Sequence, residues 1–190
     1  MSSPQTTGGG QQAVINGGAT GTRTVQNYVG GQWVDSDAKQ FVDVINPVTG
    51  ELIARTPLGT AADVDRAVQA AAKAFPAWRR TPPVNRVKPL FKLKEVLERR
   101  FDDIARTITR EHGKTLEESR SSVRRAIDNV DLALGIPSRM MGTSLEDIAH
   151  GIDCHTVRQP LGVFAAITPF NFPAMVPIPR ARPRSCCPRR

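Results

Sequence analysis

Residues 162–173 read Gly-Val-Phe-Ala-Ala-Ile-Thr-Pro-Phe-Asn-Phe-Pro, and no other stretch restricts the fold so tightly. Residues 162–167 are apolar without polar alternation, the pattern of a strand buried on both faces of a parallel sheet. Pro169 and Pro173 each remove a backbone donor and hold the preceding residue extended, so residues 168–173 are expected to leave the sheet as a rigid turn. Open α/β sheets bind ligands beyond the carboxyl ends of their strands. Asn171 is carried to such a place, between Phe170 and Phe172. A braced amide there either closes its own turn or aims its N–H at a developing oxyanion, a contact whose loss costs on the order of a hundredfold in rate. Spacing alone leaves both roles open.

The chain before this stretch alternates between turn signals and helical periods. Residues 25–34 alternate around Gly30-Gly31, a short-hairpin signature. Residues 41–45 and 51–54 flank Asn46-Pro47-Val48-Thr49-Gly50, a turn opened by Pro and closed by Gly. Thr60 with Asp63 predicts a capped helix start. Val64, Ala67, Val68, Ala71 and Phe75 then form an apolar face expected in the core, ended by Pro76.

Thr81-Pro82-Pro83 opens a second helix whose stripe, from Val84 through Leu90, Leu97 and Ile104 to Ile108, predicts helix to about residue 111. Pro89 either bends it or confines its regular part to Leu90 onward, and Gly113 caps it. The mixed charges over residues 92–110 read as a solvated face. A third helix is predicted over residues 116–134, with Val123, Ala126, Ile127, Val130 and Leu134 inward and Gly135 as its stop. Arg125 lies roughly 200° around that helix from Val123, so it is either a surface arginine or one aimed across a cleft. Residues 140–158 are strand-like.

Charge and cysteines exclude several classes. The formal charge is +8, but Arg180, Arg182, Arg184, Arg189 and Arg190 supply five of these charges, leaving +3 for residues 1–179. A basic tail is not a basic domain, and no nucleic-acid module is indicated. No apolar run approaches the roughly 20 residues of a membrane span. Cys154, Cys186 and Cys187 form no Cys-x-x-Cys pair and no even framework, and the start of the chain has neither an apolar signal core nor an Arg-rich amphipathic leader. Together these predict a reducing cytoplasm. His112, His150 and His155 share no metal-ligand spacing. Residues 1–24, rich in Gly, Gln, Ser and Thr, bury too little to offset ordering and are expected to be disordered. Their glycines lack the flanking strand and helix of a phosphate loop.

Ile-Thr-Pro-Phe-Asn-Phe-Pro at residues 167–173 resembles the Pro-[Trp/Phe]-Asn-[Phe/Tyr]-Pro segment of the NAD(P)-dependent aldehyde dehydrogenase superfamily. Glu111-His-Gly-Lys-Thr-Leu and Val123-Arg-Arg-Ala-Ile are similar to its CoA-acylating methylmalonate-semialdehyde dehydrogenase subgroup, and the likeness runs over about residues 25–177. The resemblance implies an α/β fold: an antiparallel meander, helices, a hairpin of residues 140–158 that pairs with another subunit of a homo-oligomer, and the first strand of a Rossmann-like parallel sheet. It implies that Asn171 is the oxyanion donor, that Thr168, Pro169 and Phe170 form the first NAD-contact turn, and that Arg125 binds the carboxylate of a semialdehyde. Guanidinium meets a carboxylate with two parallel hydrogen bonds. Ala126 stands where the subgroup has Gly, and Ser121-Ser122 replace its Gly-acid pair.

In that subgroup a cysteine thiolate attacks the aldehyde, hydride passes to NAD, and CoA accepts the acyl group from the thioester. The family nucleophile lies beyond residue 190; Cys186 and Cys187 lack its motif, and Cys154 reads as an ordinary thiol. Residues 178–190 depart from the family, their alternating Pro and Arg are expected to form no helix, and a shifted reading frame or truncated gene is the expectation. The chain then reads as an inactive N-terminal portion of such an enzyme. Two other readings stay open: part of a non-acylating aldehyde dehydrogenase, or a non-catalytic chain whose basic tail attracts polyanions weakly.

Overall fold

The computed structural model describes residues 23–180, and the first described elements are hairpins whose turns follow from their residues. β1 (Asn27–Val29) and β2 (Gln32–Val34) pair antiparallel around Gly30 and Gly31, whose φ of 61° and 87° glycine adopts without steric cost. β3 (Phe41–Ile45) and β4 (Leu52–Pro57) form a second antiparallel pair. In the turn between them the Asn46 side chain accepts from the Val48 amide at 3.0 Å. The Arg55 amide donates to the Arg23 carbonyl at 2.8 Å and Thr24 bridges Arg55, so Arg23 and Thr24 belong to this unit rather than to a disordered tail. Residues 1–22 and 181–190, with the expectations for them, lie outside the described residues.

α1 (Ala61–Arg80) starts at the predicted capping box: the Asp63 amide donates to Thr60 Oγ1 at 3.3 Å, and Asp63 Oδ2 accepts from the Thr60 amide at 2.8 Å. Two expectations fail here. The helix runs through Pro76 to Arg80, losing one backbone bond without stopping. Its apolar face is also not core: Val64 is 62% and Val68 42% exposed. Periodicity creates an apolar stripe, but burial needs a partner surface, and α1 packs against β1.

The single helix predicted after Thr81 is three: α2 (Pro83–Arg86), α3 (Lys88–Arg99) and α4 (Phe101–His112). Pro89 accounts for the first break, since it has no N–H for the Asn85 carbonyl and suits the first turn of α3. The second, at Arg100 (φ −100°, ψ 17°), contains neither Gly nor Pro. Asp102 and Asp103 instead favour a new N-terminus there. Gly113, at φ 81°, is the left-handed cap expected for α4.

α5 (Leu116–Leu134) organises the core. Thr115 and Glu118 cap it reciprocally, and Val123, Ala126, Ile127 and Val130 are buried against Leu90, Leu97, Ala105 and Ile108, from α3 and α4. The charges of residues 92–110 line the rim of this layer: Lys94 pairs with Asp131 at 2.7 Å, Glu98 with Arg124 at 2.8 Å, and Asp102 with Arg120 at 2.8 Å. Exposed pairs of this kind contribute about 0–1 kcal/mol each, so the apolar interior carries the stability.

α6 (Ile136–Arg139) leads to the exposed antiparallel hairpin of β5 (Ser144–Ala149) and β6 (Ile152–His155). The mixed helix-and-strand class is as expected, but residues 162–167 form no strand, and Ile167 is 95% exposed. A lone strand leaves donors and acceptors unpaired on both edges. The described sheets are antiparallel two-stranded pairs, and none offers it a parallel neighbour. The boundary at 177 also shifts. Residues 177–180 form one helical turn, α7 (Pro177–Arg180), and Ile178 packs against the core.

Candidate functional site

Lys114 anchors the Thr168–Asn171 region. Gly113 ends α4 in the left-handed conformation and sends Lys114 across the corner between α4 and α5. Lys114 Nζ donates to the Asn171 backbone carbonyl at 2.6 Å and lies 4.5 Å from the centroid of the Phe172 ring. One ammonium thus meets a carbonyl dipole and an aromatic face, a pairing whose cation–π part contributes about 0.5–1 kcal/mol at an exposed site. After this anchor the chain turns inward: the Val176 amide donates to the Phe172 carbonyl at 3.2 Å, and Ala174 is buried in the helical core.

Asn171 itself is exposed, as are Thr168, Pro169 and Phe170. Phe170 is 86% exposed, so its ring covers nothing in residues 23–180. The expectation that Asn171 sits at the mouth of a buried strand is therefore not met in residues 23–180. Its backbone is fixed by Lys114, and no strand beside it forms a crevice. Lys114 is the residue that sequence reasoning missed. It lies 57 positions from its partner and outside any periodic stripe, and its only local signal is its place directly after a helix-ending glycine.

Arg125 is exposed on α5, on the side away from the packed face, and pairs with no carboxylate among the described residues. Its neighbour Arg124 is engaged, bonded to Glu98 at 2.8 Å and 4.9 Å from the Phe101 ring centroid. Arg125 stands ten residues beyond the Thr115 cap, about 15 Å along the helix axis. The described residues do not bring Arg125 and Asn171 into one cavity. Neither residue lines the pockets beside Arg86, Asp131 or Arg110.

The carboxylates near these elements have structural roles. Asp63 is held well below the usual carboxylate range by the Thr60 amide and the Ser36 hydroxyl. Glu118 is held low by the Thr115 hydroxyl and amide. Both are helix caps, and neither is poised to exchange a proton near neutrality. Cys154 is an exposed free thiol on β6, as expected of an ordinary cysteine. Among the described residues no group of His, Cys, Asp and Glu could hold a metal ion, and no helix is long and apolar enough to cross a membrane.

Comparison with known proteins gives these residues their context. The model of the aldehyde dehydrogenase family matches residues 33–185. Malonate-semialdehyde dehydrogenase of Bacillus pumilus (strain SAFR-032) is 46% identical over 158 residues, which is 83% of this chain and 32% of that protein. Malonate-semialdehyde dehydrogenase 2 of Bacillus mycoides (strain KBAB4) is 47% identical over 155 residues, 82% of this chain and 32% of its own length. Among solved structures, methylmalonate-semialdehyde dehydrogenase from Oceanimonas doudoroffii superimposes with a TM-score of 0.79 at 40% identity, over 83% of this chain and 32% of that one. A Sinorhizobium meliloti 1021 protein assigned as a methylmalonate-semialdehyde dehydrogenase, crystallised with NAD, gives 0.80 at 31% identity, over 84% and 33%. The chain spans about a third of the length of the relatives it matches.

Proposed function

Because the chain belongs to the aldehyde dehydrogenase family, we propose that it is the N-terminal portion of an NAD-dependent, CoA-acylating dehydrogenase of methylmalonate or malonate semialdehyde. The observation that carries this reading is the 46% identity over 158 residues with a malonate-semialdehyde dehydrogenase. In this reading Asn171 donates its side-chain N–H to the oxyanion formed when a thiol adds to the aldehyde. Preorganised donors of this kind lower the barrier because their dipoles need no reorientation as charge develops. Lys114 supports the role by fixing the Asn171 backbone. Arg125, unpaired among the described residues, grips the substrate carboxylate through its planar fork.

NAD, when bound, accepts hydride from the substrate carbon. Thr168, Pro169 and Phe170 are the residues of this chain assigned to touch it. They are exposed, and residues 23–180 build no enclosure around them, so no hydride step is assigned to this chain. We accordingly assign no turnover to the 190 residues alone. The exposed β5–β6 hairpin, a two-stranded sheet among the described residues, suits strand addition between subunits of a homo-oligomer.

A chimera joining residues 23–176 to the remaining two thirds of the Bacillus pumilus relative provides the test. Acyl-CoA formation from malonate semialdehyde with NAD and CoA is expected, and oxidation that ignores CoA would replace the acylating reading with a non-acylating one. Asn171→Ala is expected to lower kcat about a hundredfold, and Arg125→Met to raise KM for the semialdehyde. Unchanged kinetics in both variants would remove the site assignment while leaving the family assignment intact.

A further inference from the structure

Several arginines of the helices already have anions. Arg66, Arg99, Arg110, Arg120 and Arg124 each meet a carboxylate. Arg79 and Arg86 meet none among the described residues, and both line the same pocket, of ≈ 550 Å³, together with Arg158. Three separate segments deliver these guanidiniums: the last turn of α1, α2, and the chain leaving β6. No acidic residue among the described ones lines the cavity.

The state of Arg86 points to a missing acceptor. A guanidinium takes an oxyanion side-on through Nε and Nη2, two parallel donors on one edge. Here Nε is buried and donates to no described group, while Nη2 has only the Met140 thioether at 3.9 Å. Sulfur is a weak acceptor, and a buried unused donor is costly. The wall opposite is firm. The Thr156 amide donates to the Thr143 carbonyl at 2.9 Å, and Gly142 approaches so closely that a Cβ would fall 1.8 Å from the Thr156 carbonyl oxygen.

We propose that this pocket binds a phosphate dianion, free or as a phosphomonoester, through Arg79, Arg86 and Arg158. A carboxylate is satisfied by one fork, whereas the several oxygens and double charge of phosphate match the more than one guanidinium that lines this pocket. Pro137 and Met140, which line the same pocket, offer apolar surface to an ester group. This is independent of the dehydrogenase reading, since none of the residues assigned to that chemistry lines the pocket.

The test titrates inorganic phosphate into the 190-residue chain at constant ionic strength, following arginine Nε–H resonances and heat. Saturable one-site binding with a shifted Arg86 Nε–H is expected. Arg86→Gln and Arg79→Gln should each weaken it about tenfold or more, and Arg86→Lys, which keeps the charge without the fork, should not restore it. Arg124→Gln, at an arginine already paired with Glu98, should bind as the parent does. Glycerol 2-phosphate binding at least as tightly as phosphate assigns an ester; phosphate binding alone assigns the free ion. Circular dichroism checks each fold, and Arg79→Gln, at the exposed end of α1, decides the matter if Arg86→Gln does not fold. Equal binding by all variants, equal competition by acetate, or no saturation would overturn the proposal.

Discussion

The α3–α5 layer and residues 161–173 are both rich in apolar side chains, yet one is a core and the other is open to solvent. Ile127 on α5 is 1% exposed, and Ile167 is 95% exposed. A helix satisfies its own backbone, so it needs only an apolar neighbour, and α3 and α4 stand close in sequence to supply it. A central strand needs hydrogen-bonding partners on both edges before its side chains can be buried. The difference lies in what each element requires from distant chain, not in hydrophobicity.

The comparison breaks if the two regions respond alike to the same deletion. Ile127→Ala should destabilise the chain by about 2–5 kcal/mol, the cost of a core cavity, read by urea denaturation. Ile167→Ala should stay within about 0.5 kcal/mol. A comparable loss at Ile167 would mean that residues 162–167 are packed in solution.

Gly113→Ala comes next. It places a side chain at φ 81° with its Cβ 2.8 Å from Pro47 Cγ, and about 1–2 kcal/mol of conformational cost is expected. Since this corner also carries Lys114, exchange of the Asn171 amide should rise with it. Thr60→Ala removes the α1 cap and should cost about 1 kcal/mol in thermal unfolding.

The same cap sets a pH dependence. The folded Asp63 carboxyl lies below its ordinary value of 3.8, so its contribution is complete above that value and is lost as pH falls towards the lower folded value. Asp63→Asn should flatten this acid limb; an unchanged limb would refute the cap as its source. The most local effect is that of Lys114→Met. Amide exchange at residues 170–172 should quicken about fivefold, as the loss of roughly 1 kcal/mol implies, with the core unmoved.

Much of the fold was legible because its signals are local. The Gly30-Gly31 hairpin, the Thr60 cap, the Gly113 stop and the α5 stripe each lie within a few residues of what they specify. The same reading overreached where the outcome depended on a partner. Val64 and Val68 repeat as regularly as the α5 stripe but remain exposed. Arg100 breaks a helix without Gly or Pro because Asp102 and Asp103 suit a new N-terminus. Of the candidate site, the angle on α5 turned Arg125 away from the packed face without deciding between surface and cleft, while Asn171 could be named but not placed.

By itself the sequence determined the turns, the caps, the apolar stripes and, through the Pro-Phe-Asn-Phe-Pro segment, the family. Only the tertiary structure decided which stripes found a surface to cover them, that Lys114 anchors Asn171 from 57 positions away, and that Arg79, Arg86 and Arg158 share one cavity. Periodicity and capping are written in neighbouring residues, whereas a contact between distant segments depends on how the intervening elements pack, and no local pattern encodes that.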